Sequence, residues 1–259
     1  SPAPAPPQAL FNTRPAPAGL PLLPAVPGSI LLARCALPAD SPYLAAITSE
    51  EQANGAYSAT LNGRPWVWIG NTSRDQYSGV FFGLVTAYDL ARDLHVRREI
   101  QALAGRLLGN LQAAAWNVLF PNGAVTSFLL RPDQQLALLQ IGAHVDSRRF
   151  ASDYARAASS LAASVPVPAA YDSFDDHNSY FKFNLDFINL YSLIRLENNA
   201  SNKASYERAF ALVRAATDNH LNPHFNMIDR ALHGPDPARD AETRADLDAW
   251  LLRPRLDAF

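Results

Sequence analysis

The sequence predicts a mainly α-helical protein of paired helices, arranged as a solenoid or as a ring with fewer than six pairs, with two small β-hairpins. Three observations carry this. Apolar residues recur at helical spacing through most of the chain after residue 73. The helical stretches are joined by short links, and pairs recur at roughly 40–50-residue spacing. Asn62-Gly63 and Pro121-Asn122-Gly123 each separate two strand-like runs.

Residues 1–28 are rich in proline and read as an extended arm or linker, because proline cannot continue a helix. Residues 29–259 read as a single helical domain. Residues 29–36 are short and apolar, a packed strand or one helical turn, and 41–51 a short helix. Residues 56–61 and 65–69 form the first hairpin, where Tyr57, Trp66, Val67 and Trp68 favour strands. Ser73 with Gln76 is a capping box, so a helix starts there and runs to about 94. A second long helix is expected over 96–119, with Ile100, Leu103, Leu107, Leu108 and Leu111 on one face. Residues 116–120 and 124–130 make the second hairpin. Helices follow over 134–145 and 149–164. Pro166 and Pro168 are expected to break the chain over 165–170. Helices then cover 175–198, 203–217, 225–232 and 240–251.

Composition excludes several function classes. A net charge of -2 and a pI near 6.3 give no electrostatic footprint for nucleic acid. No run of about 18 apolar residues occurs, so no membrane span is expected. Cys35 is the one cysteine, which rules out an intramolecular disulfide. Two lysines against twenty arginines suggest a GC-rich bacterial coding bias. The proline-rich start resembles a linker left after a signal segment, so export to the periplasm or cell exterior is expected. Phosphate-binding, zinc and nucleophile-elbow motifs are absent from the sequence.

Three clusters could carry chemistry. The first is Trp66, Trp68, Asn71, Arg74, Asp75 and Tyr77. Indole faces stack on sugar rings, Arg74 can fork a carboxylate, and Asp75 can act as acid or base. The bland reading places both tryptophans in the core, with Asp75 favouring a helix dipole. The second runs from Asp172 through Asp175, Asp176, His177, Asn178, Tyr180 and Lys182 to Asn189. Asn178, Lys182, Leu185 and Asn189 fall at i, i+4, i+7 and i+11, a largely polar stripe on one helix face. Such a stripe suits the wall of a cavity or, alternatively, a solvated face. The third is His220, Asn222, His224 and Asn226. Pro223 interrupts the two histidines, so no metal site, and no cofactor, is expected.

The stretch from Trp68 to Gly79 feeding Phe82-Gly83-Leu84, with Trp116 before the Asn122-Gly123 turn, resembles the loop-then-helix entries of α/α-toroid carbohydrate-active proteins. The resemblance spans about residues 60–235. It implies a polysaccharide or oligosaccharide partner, and either lyase or glycoside hydrolase chemistry. A lyase would draw on Arg74, His177, Asn178 and Tyr180. A hydrolase would use Asp75 and Asp176 as opposed carboxyls. Trp66, Trp68, Arg74, Lys182 and Asn189 would bind substrate, and residues 68–77 and 175–189 would wall one cavity. The alternative is a non-catalytic scaffold whose residues 1–28 dock on another protein chain.

Overall fold

A computed structural model describes residues 14–15, 31–46, 56–70, 72–120, 124–174 and 180–252, with backbone alone at 14, 15, 45, 46, 126–129 and 180. The chain is mainly helical. It forms two compact units, Ser1–Leu130 and Arg131–Phe259. Most of the proline-rich arm lies outside the described residues.

The first unit holds a small antiparallel sheet of β1 (Arg14–Pro15), β2 (Cys35–Pro38), β3 (Ala56–Leu61) and β4 (Arg64–Ile69), in the order β1-β3-β4-β2. The β3–β4 turn is the expected one. Asn62 and Gly63 take φ of 51° and 77°, the mirror-image turn that matches strand twist. Strand alternation sends Ala56, Val67 and Ile69 to one covered face and Tyr57, Ala59 and Trp68 to the other. The segment 41–51, expected to be a helix, shows a 3-10 turn at Pro42–Ala46, and its remainder lies outside the described residues.

Helix α1 (Arg74–Leu90) begins where the capping box predicts, with the Ser73 amide donating to Gln76 Oε1 at 2.9 Å. It packs on α2 (Leu94–Ala113); Phe81 and Val85 are buried on α1, and Leu107, Leu108 and Leu111 on α2. The expected run of α2 to residue 119 is corrected. Ala115 and Trp116 turn left-handed, and the Trp116 amide donates back to the Leu111 carbonyl at 2.7 Å, closing the helix. The chain then enters the second hairpin, β5 (Asn117–Leu119) and β6 (Val125–Leu129).

The second unit contains α3 (Pro132–Val145), α4 (Ser147–Leu161), α5 (Pro166–Phe174), α6 (Tyr180–Leu196), α7 (Ala200–Ala216), α8 (Pro223–His233) and α9 (Pro237–Leu251). Residues 166–174 are helical rather than broken. Pro166 and Pro168 sit in the first turn, where an amide hydrogen is not needed. Helix α6 is central. Phe183, Leu185, Phe187, Ile188, Leu190, Leu193 and Ile194 are all buried, against α3, α7 and α8. Phe187 stacks on Phe225 of α8 at 4.2 Å and meets Phe210 of α7 edge-on at 5.4 Å. Helix α3 also packs on α4, and α8 on α9. No helix among the described residues is long and apolar enough to cross a membrane.

Candidate functional site

In the first unit the start of α1 is held by its neighbours in the sheet region. Thr72 donates to the Leu32 carbonyl, and Gln76 Nε2 to the Arg34 carbonyl at 3.2 Å. Arg74 and Asp75, both half-buried, form an ion pair at 3.7 Å. Trp66 is half-buried. Trp68 is 3% exposed and stacks on Tyr57 at 4.7 Å. That corrects its expected role as a sugar platform, because its indole face is covered by the tyrosine on the neighbouring strand.

The second unit assembles a denser group. Arg131, the residue before α3, directs its guanidinium at three buried aspartates. Nε donates to Asp133 Oδ1 at 3.0 Å, Nη1 to Asp172 Oδ2, and Nη2 to Asp186 Oδ1 at 3.0 Å. Lys182 Nζ lies 3.9 Å from Asp172 Oδ1. The aspartates come from three elements: Asp133 from the first turn of α3, Asp172 from α5, and Asp186 from the second turn of α6. Phe183, one turn before Asp186 on α6, meets the ring of His220 at 5.4 Å just ahead of α8. The N-terminal ends of α3 and α8 therefore both lie against the first two turns of α6.

Electrostatics divide the acids. Burial pushes the Asp186 carboxyl well above the usual aspartate range, and Asp133 and Asp172 add to the rise while Arg131 opposes it. Asp186 Oδ2 is buried and has no hydrogen-bond partner among the described residues. The same holds for Asn189 Nδ2 on α6 and for both amide atoms of Gln140 on α3, residues only 3% exposed. A buried amide without a partner costs about 1–3 kcal/mol, so such a group marks a place for water or a ligand. The Arg131 guanidinium, by contrast, is committed to the protein through Nε, Nη1 and Nη2. Its charge state is fixed, since the surrounding aspartates raise its affinity for the proton further.

The structure thus places Lys182 and Asn189 of the expected stripe on the central helix. Asp176, His177 and Asn178 lie outside the described residues, as does Asn71, and only the backbone of Tyr180 is described, at the start of α6. Asp75 and Arg74 belong to the other unit. Arg131, Asp133, Gln140 and Asp186 were missed. The signal for Asp186 was a single carboxylate inside the apolar run FNLDFINL, a position that demands a buried partner. His220 and His224 do not share a helix. Asn222 caps α8 by accepting from the His224 amide at 2.9 Å, and burial pushes the His224 imidazole below its usual range. Among the described residues no group of three His, Cys, Asp or Glu side chains could hold a metal ion.

No protein-family model matches the chain, and neither a curated protein nor a solved structure matches it.

Proposed function

We propose that this is a carbohydrate-binding protein of the α/α-toroid kind, and that the sugar is received where α3, α6 and α8 begin. The layout supports the toroid reading in a specific way. Successive hairpins α3–α4, α6–α7 and α8–α9 have their first helices side by side, α3 on α6 and α6 on α8. That neighbour order is the one a section of an α/α ring requires, with the first helices forming an inner wall.

The observation that carries the sugar reading is Asp186 Oδ2, a buried carboxyl oxygen without a partner, next to the ion-paired Arg131. A carboxyl that retains its proton donates a hydrogen bond where a carboxylate can only accept. Sugar hydroxyls do both, so they suit a protonated Asp186. Tyr171, Phe174 and Phe181 are exposed on α5 and α6, the two helices that carry Asp172, Lys182 and Asp186. Exposed aromatic faces and buried polar groups are what a sugar's apolar ring face and hydroxyl edge each need. For cleavage, Asp186 gives its proton to the leaving glycosidic oxygen as the C1–O bond breaks, while Asp172 takes a proton from the water that attacks C1.

The test is a glycan array and a depolymerisation screen over neutral and uronic polymers, followed by Asp186→Asn and Lys182→Ala with circular dichroism to confirm folding. Wild type is expected to bind at least one glycan class, and Lys182→Ala to weaken it about tenfold, the value of one charge-assisted hydrogen bond. Absence of wild-type binding across both polymer classes overturns the reading. One observation favours the scaffold alternative. Val167, Tyr171 and Phe174 form an exposed apolar row at i, i+4 and i+7 on α5. A Tyr171→Ala/Phe174→Ala variant that splits an oligomer in light scattering, with no glycan bound by wild type, would establish it.

A further inference from the structure

The far end of α8 carries a histidine in an unusual setting. His233, the last residue of α8, has both ring nitrogens against carboxylates. Nδ1 lies 2.7 Å from Asp229 Oδ1, one turn earlier on its own helix. Nε2 lies 3.0 Å from Glu207 Oε2 on α7. A neutral imidazole has one N–H and one lone pair. It satisfies one of these carboxylates and sets its lone pair against the other. The imidazolium donates to both. The arrangement therefore favours the charged ring, which bridges α7 and α8 at this end.

We propose that His233 is a proton-operated clamp fastening α8 to α7, closed when the imidazole carries its second proton and released when that proton leaves. The inference stands whether or not the protein binds sugars.

The surrounding charges define what the clamp senses. From α7 come Glu207 and Arg214, and Arg214 holds the other oxygen of Asp229 at 3.1 Å and Asn226 Oδ1 at 2.9 Å. From α8 itself come Asp229 and Arg230. From α9 comes Asp240, paired with Arg230, and Arg239 extends the network to Asp218 and Glu242. The ring also rests 5.2 Å from Phe210 of α7. Partial burial alone would lower the proton affinity of His233, but the hydrogen bonds to Glu207 and Asp229 outweigh it and raise the pKa above 6.5. Every other group in the network is an arginine or a carboxylate, so His233 is the member that titrates near neutrality.

The sign follows from linkage. A folded-state pKa above the unfolded value contributes stability that is complete below about 6.5 and is lost as pH rises through the folded value. Release loosens the end of α8 opposite the segment 220–226 that lies against α6.

The experiment is a side-chain NMR titration of the full chain with hydrogen exchange of α8 amides across pH 5.5–8.5, for wild type, Glu207→Gln and His233→Gln. The expected result is a His233 midpoint above 6.5 that moves down in Glu207→Gln. Exchange of α8, corrected for its intrinsic pH dependence, should accelerate through that midpoint in wild type but not in His233→Gln. A His233 midpoint at or below 6.5, or equal pH dependence of α8 exchange in wild type and His233→Gln, overturns the clamp. If His233→Gln fails to fold, Glu207→Gln decides: an unmoved midpoint overturns it equally.

Discussion

Arg131 donates to Asp186 across 3.0 Å and so ties the residue before α3 to the second turn of α6, 55 positions further along the chain. The same guanidinium holds Asp133 and Asp172. One cation thereby anchors three helices, and its loss leaves three acids inside the protein, of which Asp172 has Lys182 Nζ 3.9 Å away.

Replacing Arg131 by methionine keeps much of the volume and removes the charge. Uncompensated buried charges are costly, and breaking such a group from one side is expected to lower stability by about 3–5 kcal/mol. Urea unfolding of the full chain measures this. A loss below about 1 kcal/mol would mean that water already screens the aspartates.

Asp186 makes a pH prediction. Its folded-state carboxyl binds a proton more tightly than the ordinary value of 3.8 allows. Between the two values the folded chain holds a proton that the unfolded chain has released. Stability from this group therefore falls as pH rises from about 4 toward neutrality. Asp186→Asn removes the effect, so the variant's stability relative to wild type should climb over that range. Urea midpoints at pH 4, 5.5 and 7 check it, and a difference that stays flat would show that Asp186 titrates normally.

Local chemistry was legible in the sequence and long-range chemistry was not. The Asn62-Gly63 turn and the Ser73–Gln76 capping box announce themselves within four residues, and both are found. The end of α2 was missed because Ala115 and Trp116 carry no glycine or asparagine signal for their left-handed backbone. Residues 166–174 were misread because proline ends a helix in its interior but opens one in its first turn. Spacing put Lys182 and Asn189 on one helix, and both lie on α6. The Arg131 group could not be read from spacing, since its partners Asp172 and Asp186 lie 41 and 55 residues away and only packing brings them together.

Gly63 tests the first unit. Its φ of 77° is left-handed, and a Cβ there meets nothing within 4 Å. Gly63→Ala therefore strains the backbone without a clash, at about 1–2 kcal/mol. The thermal midpoint should fall by a few degrees. An unchanged midpoint would indicate that the turn is not in this conformation in solution.

Phe187 tests how the second unit is held together. It is fully buried on α6, parallel to Phe225 of α8 at 4.2 Å with an interplanar angle of 2°, and edge-on to Phe210 of α7. Phe187→Ala removes a ring that touches both neighbouring helices and leaves a cavity where they meet. The expected cost is about 3–5 kcal/mol, against under about 1.5 kcal/mol for Phe187→Leu, which refills most of the space. Stacking adds a pairwise part. A double-mutant cycle of Phe187→Leu with Phe225→Leu should return a coupling of about 0.5–1.5 kcal/mol. Because the stack spans α6 and α8, its loss should raise hydrogen exchange in α8 more than in α4, which packs on α3 instead. A small cost with zero coupling would mean that the two rings do not meet in solution.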